Sequence, residues 1–299
     1  MILNFGSLNA DLVFSVPHFV RPGETLASDG VALHAGGKGA NQSIALARAG
    51  AKTAHAGKIG PDGAWMKSRL DQEGVDTRHV LVDDRVLSGQ AIIQVNPQGE
   101  NCILLSAGAN GAITRGEIDG ILSNYGRHDL LVLQNEISET AHLIEAARAR
   151  GMVVVFNAAP CTPAVKSYPL SLLSLLVVNE TEGADLTGET GVQAILDAAA
   201  KLWPETALLL TLGGEGAWFA HRQSRIHQGV FPAKVVDTTA AGDTFLGFFL
   251  AAWSGGASPQ EALKRAALAA SITVSRPGAA DSIPTAREVD DVLRTLLPG

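Results

Sequence analysis

Hydrophobic and polar positions follow different patterns in two parts of the chain. In the first 105 residues, short apolar runs are separated by turn residues such as Pro17, Pro22 and Gly23, which is typical of strands. Strands are predicted at 2–5, 12–16, 25–33, 80–82, 89–95 and 101–105. One helix is predicted at 40–49, where an apolar face is followed by Gly50. The last three strands, with a turn at 96–99, are interpreted as a meander.

From Gly111 onward, short apolar runs alternate with helical patterns. The predicted strands are 130–133, 153–156, 175–178, 208–211, 216–220 and 234–236. The predicted helices are 138–150, 190–202, 242–254, 258–275 and 285–297. This alternation is typical of a parallel sheet covered on both faces, because each parallel crossover needs a covering element. We therefore predict an α/β fold with a doubly wound, mostly parallel sheet and helices on both faces. A small β-sheet lid is predicted from about 10–35 and 88–106, within one domain spanning 1–299.

Composition and charge exclude several classes of protein. Among 299 residues, 30 acidic and 23 basic side chains give a net charge of −7, and 46% of positions are hydrophobic. A chain without a basic run is not expected to bind nucleic acid through summed phosphate contacts. The longest Leu/Val-rich stretch, 170–178, is shorter than the roughly 20 residues that a membrane span needs. Cys102 and Cys161 stand far apart, which favours a reducing compartment. We expect a cytoplasmic protein with no membrane partner.

The two common nucleotide-binding signatures are missing from the sequence. A P-loop needs Gly-x4-Gly-Lys-Ser/Thr, but Lys38 is followed by Gly39. A dinucleotide fingerprint needs G-x-G-x-x-G, and neither Gly37-Lys-Gly39 nor Gly214-Glu-Gly216 continues in that way. The sequence therefore does not predict a P-loop or a dinucleotide-binding turn.

The segment 237–245, Asp-Thr-Thr-Ala-Ala-Gly-Asp-Thr-Phe, is a candidate anion site. Its small residues at 240–242 let backbone amides approach a ligand, and the following helix adds positive partial charge. Asp243 lies beside that anion, where a carboxylate suits the task of accepting a hydroxyl proton during phosphoryl transfer. The alternative is an Asp that only caps the helix.

Polar groups elsewhere also have two interpretations. The glycine-rich turn 34–42 either hinges the lid and offers Asn41 to a polyol, or is a loop that enters a helix. Asn9 and Asp11 either bind hydroxyl groups or form a turn. The run 179–182, Asn-Glu-Thr-Glu, either holds hydrated Mg²⁺ or starts a helix. The loop 211–216 and Glu136 share with these groups a position at the end of a predicted strand, where parallel sheets place ligands.

In this order the motifs resemble the PfkB family of carbohydrate kinases, and among its members those that phosphorylate ribose. The resemblance covers nearly the whole chain and is carried by the segments 6–11, 22–25, 36–42, 108–110, 179–182, 211–213 and 237–245. It implies a ribokinase-like fold and ATP-dependent phosphorylation of D-ribose at the 5-hydroxyl, giving D-ribose 5-phosphate and ADP. The alternatives are a kinase for deoxyribose, another pentose or a nucleoside, and a non-catalytic sugar-binding regulator.

The resemblance also implies roles for individual residues. Asp243 would be the catalytic base, and the amides of Ala240, Ala241 and Gly242 would form the anion hole. The residues implied for the sugar are Asn9, Asp11, Gly36, Gly37, Lys38, Asn41, Glu136 and Asp243. Those implied for ATP are Asn179, Thr211, Leu212, Gly213, Gly214, Glu215, Gly216 and Gly242.

Two ions and a second subunit are implied as well. Asn179 and Glu182 would hold Mg²⁺, partly through water. A monovalent cation, K⁺, would be held by the side chains of Asp237 and Ser282 and the carbonyls of Thr239, Thr273, Arg276 and Gly278, and would order the anion-hole loop. A homodimer through the lid is expected, because short exposed strands pair at their edges.

The chain departs from the family pattern at two places. Many family members have glycine at the position of Ala240, and because alanine tolerates positive φ poorly, we expect Ala240 in an ordinary backbone region. Pro277 and Asp281 alter the cation loop and affect its ion selectivity.

Overall fold

Two β-sheets organise the computed structural model, which describes residues 1–296. The strands are β1 (Ile2–Phe5), β2 (Asn9–Ser15), β3 (Gly30–Gly36), β4 (Thr53–Ile59), β5 (Asp76–Val82), β6 (Gly89–Val95), β7 (Asn101–Ser106), β8 (Leu130–Gln134), β9 (Val153–Asn157), β10 (Leu175–Asn179), β11 (Ala207–Thr211), β12 (Ala217–His221) and β13 (Ser224–Gln228). The helices are α1 (Lys38–Arg48), α2 (Ala64–Gln72), α3 (Arg115–Leu122), α4 (Thr140–Ala149), α5 (Glu180–Thr187), α6 (Val192–Leu202), α7 (Ala241–Ser254), α8 (Pro259–Thr273) and α9 (Ala286–Leu296).

The large sheet has nine strands in the order β13-β12-β11-β10-β9-β8-β1-β4-β5. Seven neighbouring strands of this sheet are parallel: β11, β10, β9, β8, β1, β4 and β5. The strands β12 and β13 form an antiparallel edge beside β11. Helices cover both faces, so alternate residues of one strand enter different cores. In β8, Val132 packs with α1, α7 and α8, whereas Leu131 and Leu133 pack with α3 and α4. The predicted fold class is confirmed.

The small sheet, which we call the lid sheet, has the order β3-β2-β6-β7. It begins only three residues after β1 ends, so one strand of the large sheet leads directly into it. In its register Asp11 pairs with His34 and Ala91, and Ala91 pairs with Leu105. The face of the lid sheet that carries Asp11 therefore lies next to the carboxyl end of β1 and the first loops of the large sheet.

Several sequence-based element predictions were wrong or missing. The predicted meander at 80–105 is divided, because β5 pairs in parallel with β4 in the large sheet while β6 and β7 belong to the lid sheet. No strand forms at 234–236, where Val236 instead donates its amide to the Val274 carbonyl at 2.7 Å. The sequence did not predict β4, α2, α3 and β13. The buried strand β4 carries polar side chains such as His55 and Lys58, which hide its pattern.

Helices α1 and α7 approach closely at Gly247. A Cβ atom on Gly247 would lie 2.4 Å from the Ala45 Cβ and 2.9 Å from the Ala45 carbonyl carbon. One turn earlier along each helix, the same contact brings Asn41 next to Asp243. The small residues of this crossing therefore set the distance between the two helices.

None of the described helices is long and apolar enough to span a membrane.

We expect Gly247→Ala to lower the free energy of unfolding by about 1–3 kcal/mol, because the added methyl group meets backbone as well as a side chain. Urea unfolding measures this change. The matched control is Gly120→Ala on α3, where the new methyl group meets nothing within 4 Å and helix propensity favours alanine by up to about 1 kcal/mol. Equal stability of the Gly247→Ala variant and the parent would mean that the helices can separate there without cost.

Candidate active site

Asp243 lies in the first turn of α7 and is almost fully buried. Its carboxylate accepts two hydrogen bonds from α1, one from Asn41 Nδ2 at 3.1 Å and one from Gln42 Nε2 at 2.9 Å. Burial raises the pKa of Asp243, and the nearby Lys38 charge and the two amide donors oppose this only in part. A carboxylate with a raised pKa is a stronger proton acceptor, which suits a general base.

Ala240 corrects one of the sequence-based expectations. Its φ of 59° and ψ of 7° place it in the left-handed region rather than an ordinary one. The strain is confined to one residue, because α7 begins immediately after it and Thr244 donates its amide to the Ala240 carbonyl at 2.8 Å. The Ala241 amide donates to the Thr238 carbonyl at 3.2 Å, so one of the three expected anion donors has a partner within the loop. The left-handed turn directs the chain into the helix N-terminus, where anions are stabilised.

Asp11 lies on the lid sheet with its carboxylate against the backbone of Gly36. A Cβ atom on Gly36 would lie 1.8 Å from Asp11 Oδ2, so only glycine admits the carboxylate. Among the described residues, Asp11 Oδ1 and Asn41 Oδ1 are buried without a hydrogen-bond partner. Burial and the Glu136 charge raise the pKa of Asp11 to about 7. Buried acceptors of this kind need donors, and sugar hydroxyl groups supply them.

Asn9 is held by Asn110, to which the sequence analysis assigns no individual role. Asn110 Nδ2 donates to Asn9 Oδ1 at 2.8 Å, and Asn110 Oδ1 accepts the Leu8 amide at 3.0 Å. Because the Asn9 oxygen is occupied, its NH2 group remains as a donor for a ligand. Asn110 therefore ties the start of β2 to the segment 108–112.

Glu136 fixes the glycine-rich turn rather than lying free at a strand end. Its Oε2 accepts a short hydrogen bond from Ser7 Oγ and a 3.0 Å bond from the Lys38 amide. Ser7 Oγ also accepts the Gly39 amide at 3.1 Å. Sequence reasoning missed Ser7, because no local pattern shows that it contacts a residue 129 positions away.

The Lys38 side chain provides positive charge in the middle of this site. Burial lowers the pKa of Lys38, but the carboxylates of Asp243, Glu136 and Glu182 outweigh it and hold the pKa above its ordinary value. The lysine is thus charged, which suits a position beside a phosphate group.

Asn179 and Glu182 form a capping box at the start of α5. Glu182 donates its amide to Asn179 Oδ1 at 2.8 Å, and Asn179 donates its amide to Glu182 Oε2 at 2.9 Å. Burial raises the pKa of Glu182. The described residues contain no group of three or more His, Cys, Asp or Glu side chains placed to hold a metal. Few direct protein ligands suit Mg²⁺, which keeps several waters and binds phosphate oxygens. The Mg²⁺ site stays a prediction.

A cavity of about 550 Å³ lies between the loop after β11 and the N-terminus of α7. Five residues predicted for the nucleotide line it: Thr211, Gly213, Gly214, Gly216 and Gly242. Its other wall is mainly apolar and comes from Ala241, Phe245, residues of α8 and the segment 230–235. Leu212, Glu215 and Asn179 are not among the lining residues. Sequence reasoning missed the apolar wall, which suits a flat aromatic base.

Known proteins resemble this chain over almost its full length. A model of the pfkB family carbohydrate kinases matches residues 1–286. The chain belongs to this family.

Two curated relatives and one solved structure of the family show how close the similarity is. The ribokinase of Haemophilus influenzae is 38% identical over 297 residues, which cover 96% of each chain. The deoxyribokinase of Salmonella typhi is 31% identical over 296 residues, covering 96% of this chain and 97% of its own. The structure of Arabidopsis thaliana ribokinase complexed with ribose and ATP superposes with a TM-score of 0.89 at 32% identity and covers 98% of each chain.

The cation loop implied by the pfkB family resemblance brings two distant segments together. The Asp237 carboxylate accepts the Thr239 amide at 2.9 Å and the Gly278 amide at 3.0 Å. The Thr273 carbonyl accepts the Arg276 amide at 3.1 Å, and Ser282 Oγ donates to the Ala279 carbonyl at 2.7 Å. The implied ligands thus come from adjoining turns, and several are engaged in local hydrogen bonds. The K⁺ site stays a prediction.

We expect Asp11→Asn to stabilise the sugar-free protein at pH 8, raising Tm by about 2–4 °C. The pKa of Asp11 is about 7 in the folded protein, well above the value of about 4 in an unfolded chain. The folded state therefore holds the proton more tightly, and its stability falls as the pH rises from about 4 to 7. An asparagine avoids this loss, so the gain in Tm should shrink between pH 8 and pH 5.

Asp62→Asn is the matched control for this pH series. Burial raises the pKa of Asp62, but the hydrogen bonds from Ser88 outweigh burial and lower it below the ordinary value. Its loss should destabilise the protein at pH 8, the opposite sign. If the Tm of the Asp11→Asn variant equals that of the parent at every pH, the raised pKa of Asp11 is contradicted.

Proposed function

We propose that this chain transfers the terminal phosphoryl group of ATP to the 5-hydroxyl of D-ribose, giving D-ribose 5-phosphate and ADP. The observation that carries the proposal is the position of the buried Asp243 carboxylate. It lies at the start of α7, whose residues Ala241, Gly242 and Phe245 line the cavity of about 550 Å³, and it accepts a hydrogen bond from Asn41, whose own oxygen has no partner. The similarity to ribokinases, including one solved with ribose and ATP, supports ribose as the substrate.

In the proposed reaction, Asp243 accepts the proton of the sugar hydroxyl as its oxygen attacks the phosphorus atom. The raised pKa of Asp243 favours this transfer, and its two amide donors hold the carboxylate in place. The Gly242 amide and the charged Lys38 side chain stabilise negative charge on the transferred group. The bond between phosphorus and the oxygen of the leaving ADP breaks in line with this attack.

The sugar is proposed to bind between the lid sheet and the glycine-rich turn. Asp11 Oδ1 and Asn41 Oδ1 accept hydrogen bonds from sugar hydroxyl groups, and the NH2 group of Asn9 donates to a hydroxyl oxygen. Gly36 and Gly37 let the glycine-rich turn lie close to Asp11 and Ser7. Glu136 holds the same turn by accepting a hydrogen bond from the Lys38 amide. The lid sheet covers the sugar and limits access of water to the transferred group.

We also propose the ions that the family resemblance implies. Asn179 and Glu182 would hold Mg²⁺ partly through water, and the loops around Asp237 and Gly278 would hold K⁺. When bound, Mg²⁺ neutralises phosphate charge. The unpaired Cys102 and Cys161 fit a reducing compartment, so we place the protein in the cytoplasm.

A second candidate substrate is deoxyribose. The 31% identity to a deoxyribokinase favours it as an alternative, because the two sugars differ only by one hydroxyl group. The buried Asp11 oxygen without a partner argues for ribose, since a sugar with fewer hydroxyls leaves more acceptors unsatisfied. Other pentoses and nucleosides remain alternatives of the same class. The complete Asp243 environment speaks against a non-catalytic regulator.

We propose a homodimer formed through the lid sheet. Large apolar side chains are exposed on its strands: Val31, Leu33, Ile92, Ile103, Leu104 and Leu105. The register places Val31, Leu33, Ile92 and Leu104 together on the face opposite to Asp11, and Ile103 and Leu105 on the face of Asp11. The face with four exposed apolar side chains suits burial against a second copy of the same sheet.

The proposed function is tested by ADP release from purified protein with ATP, Mg²⁺, K⁺ and a panel of sugars at equal concentration. D-ribose should give the highest kcat/KM, and omission of Mg²⁺ should abolish turnover. Asp243→Asn should lower kcat by at least about 10³-fold while ribose still binds, because the variant keeps the shape but lacks the base. No turnover of ribose above background would refute the proposal, and near-normal turnover of the variant would remove Asp243 from its role.

The dimer is tested by light scattering at micromolar concentration. The parent should have twice the 31.1 kDa mass of the chain. Leu104→Glu should shift it to monomer, because Leu104 is 69% exposed on β7 and would place a charge in the contact. Leu202→Glu, which changes an exposed leucine on α6, should leave the dimer intact. A monomeric parent would contradict the proposal.

A further inference from the structure

A continuous set of buried hydrogen bonds leads from Asp243 into the centre of the large sheet. Gln42 Nε2 donates to Asp243 Oδ1 at 2.9 Å, and Gln134 Nε2 donates to Gln42 Oε1 at 2.6 Å. The same Gln134 nitrogen donates to Asn4 Oδ1 at 2.9 Å. Gln42, Gln134 and Asn4 are completely buried, so none of them can touch a sugar or a nucleotide in the site.

The hydrogen bonds continue to His55 on β4. Asn4 Nδ2 donates to the Gly39 carbonyl at 2.7 Å and to Ser43 Oγ at 2.8 Å, and Ser43 Oγ lies 2.8 Å from His55 Nδ1. Burial lowers the pKa of His55 to about 3, so its ring is neutral. Ser43 Oγ thus accepts from Asn4 and shares a second hydrogen bond with the neutral His55 ring.

These partners leave each amide only one orientation. Gln134 has one NH2 group, and both of its protons are given to the oxygens of Gln42 and Asn4. The Gln42 oxygen is therefore occupied, and its NH2 group must face Asp243. A flipped Gln42 amide would place its oxygen against the Asp243 carboxylate and its NH2 group against that of Gln134. The orientation at Asp243 is thus set by residues that lie behind it.

The fold retains this arrangement although it carries a cost. Gln134 Oε1 is buried without a hydrogen-bond partner among the described residues. A Cβ atom on Gly6 would lie 2.2 Å from this oxygen and 2.7 Å from the Gly39 Cα, so the backbone closes tightly around it. An unsatisfied buried acceptor is unfavourable, but an apolar side chain at this position would leave the buried oxygens of Gln42 and Asn4 without their donor. The glutamine is therefore required for the two protons of its amide, which fix the orientation of Gln42 and Asn4.

We propose that Gln42, oriented by Gln134, is a positioning residue that holds the Asp243 carboxylate in line for proton transfer from the sugar hydroxyl. This inference rests on the proposed phosphoryl transfer. Asn41 also donates to Asp243, but the proposed function assigns its unpartnered oxygen to the sugar. Gln42 is completely buried, so it is the donor to Asp243 that does not contact the substrate.

The test compares Gln42→Met and Gln134→Met with the parent in ribose phosphorylation from pH 5 to 9. Gln42→Met should lower kcat by about 30-fold and change KM for ribose by less than about threefold, because the residue does not touch the sugar. Loss of the donor also raises the pKa of Asp243, so the acid limb of kcat should move to higher pH. Lys38 and Glu136, the charged groups that face Asp243, are the same in all variants. Gln134→Met should give a smaller fall in kcat and the same direction of shift.

Thr206→Val is the matched control, since Thr206 is a buried residue with two hydrogen bonds far from this set. It should lower Tm without moving the pH profile. The proposal would be overturned if Gln42→Met changed kcat by less than threefold and left the acid limb of the pH profile unmoved. It would also be overturned if Thr206→Val moved the acid limb as far as Gln42→Met does. If Gln42→Met does not fold, Gln134→Met decides by the same criteria.

A ¹³C NMR titration of the Asp243 carboxyl group, assigned with Asp243→Asn, tests the positioning without any turnover. Its midpoint should rise in Gln42→Met and stay unchanged in Thr206→Val. Absence of ribose turnover in the parent would refute the proposed function and leave this titration as the test of the inference. Parent turnover with an unmoved titration in Gln42→Met would refute the inference alone.

Discussion

The carboxylate of Asp243 lies out of water at the start of α7, and taking an ion out of water costs several kcal/mol unless charges and donors replace the lost hydration. Here the replacements are Gln42 and Asn41 on α1, the Lys38 charge and the N-terminus of α7. The three side chains belong to α1, which begins at the end of the glycine-rich turn, and the partial charge belongs to α7. The burial of this one side chain therefore requires α1, α7 and the glycine-rich turn to meet in a single arrangement.

That arrangement is secured by close backbone contacts. Gly247 lets α7 lie against Ala45 of α1, and Gly36 lets Asp11 approach the turn before α1. Glu136 ties the same turn to Ser7, which lies between β1 and β2. The loop that joins the two sheets is thus fixed to the site, and the lid sheet is positioned by the same contacts that position the base.

The sequence contained enough information for much of the fold, but only where the pattern is local. Apolar strands such as β8 and β10 were predicted because burial on both faces makes them nearly continuous in hydrophobic residues. Strand β4 was missed because its buried side chains include polar ones that are satisfied by distant partners, such as Ser43 for His55. Val236 lies outside any strand, and its amide donates to the Val274 carbonyl instead. No local pattern predicts this contact.

The candidate site shows the same division between residues with a local signal and residues that act through distant contacts. Asp243 and the loops at strand ends were found from local motifs, and their roles came from the family resemblance. Gln134 and Asn110 act through partners about 100 residues away, so neither spacing nor periodicity identifies them. Ala240 adopts a left-handed conformation, whereas the intrinsic preference of alanine favours another region. In the folded chain, the helix that begins at the next residue outweighs that preference, which is how strained residues persist at functional sites.

Charge balance among the described residues supports the cation in the proposed reaction. Lys38 faces the carboxylates of Asp243, Glu136 and Glu182, so the site already holds more negative than positive side chains. A triphosphate added to these groups would raise the repulsion further, since charges interact strongly where water is excluded. The α7 N-terminus contributes only partial charge. The proposed Mg²⁺ would restore the balance on the phosphates, and Glu182, whose pKa burial raises, is one of the two residues that would hold it.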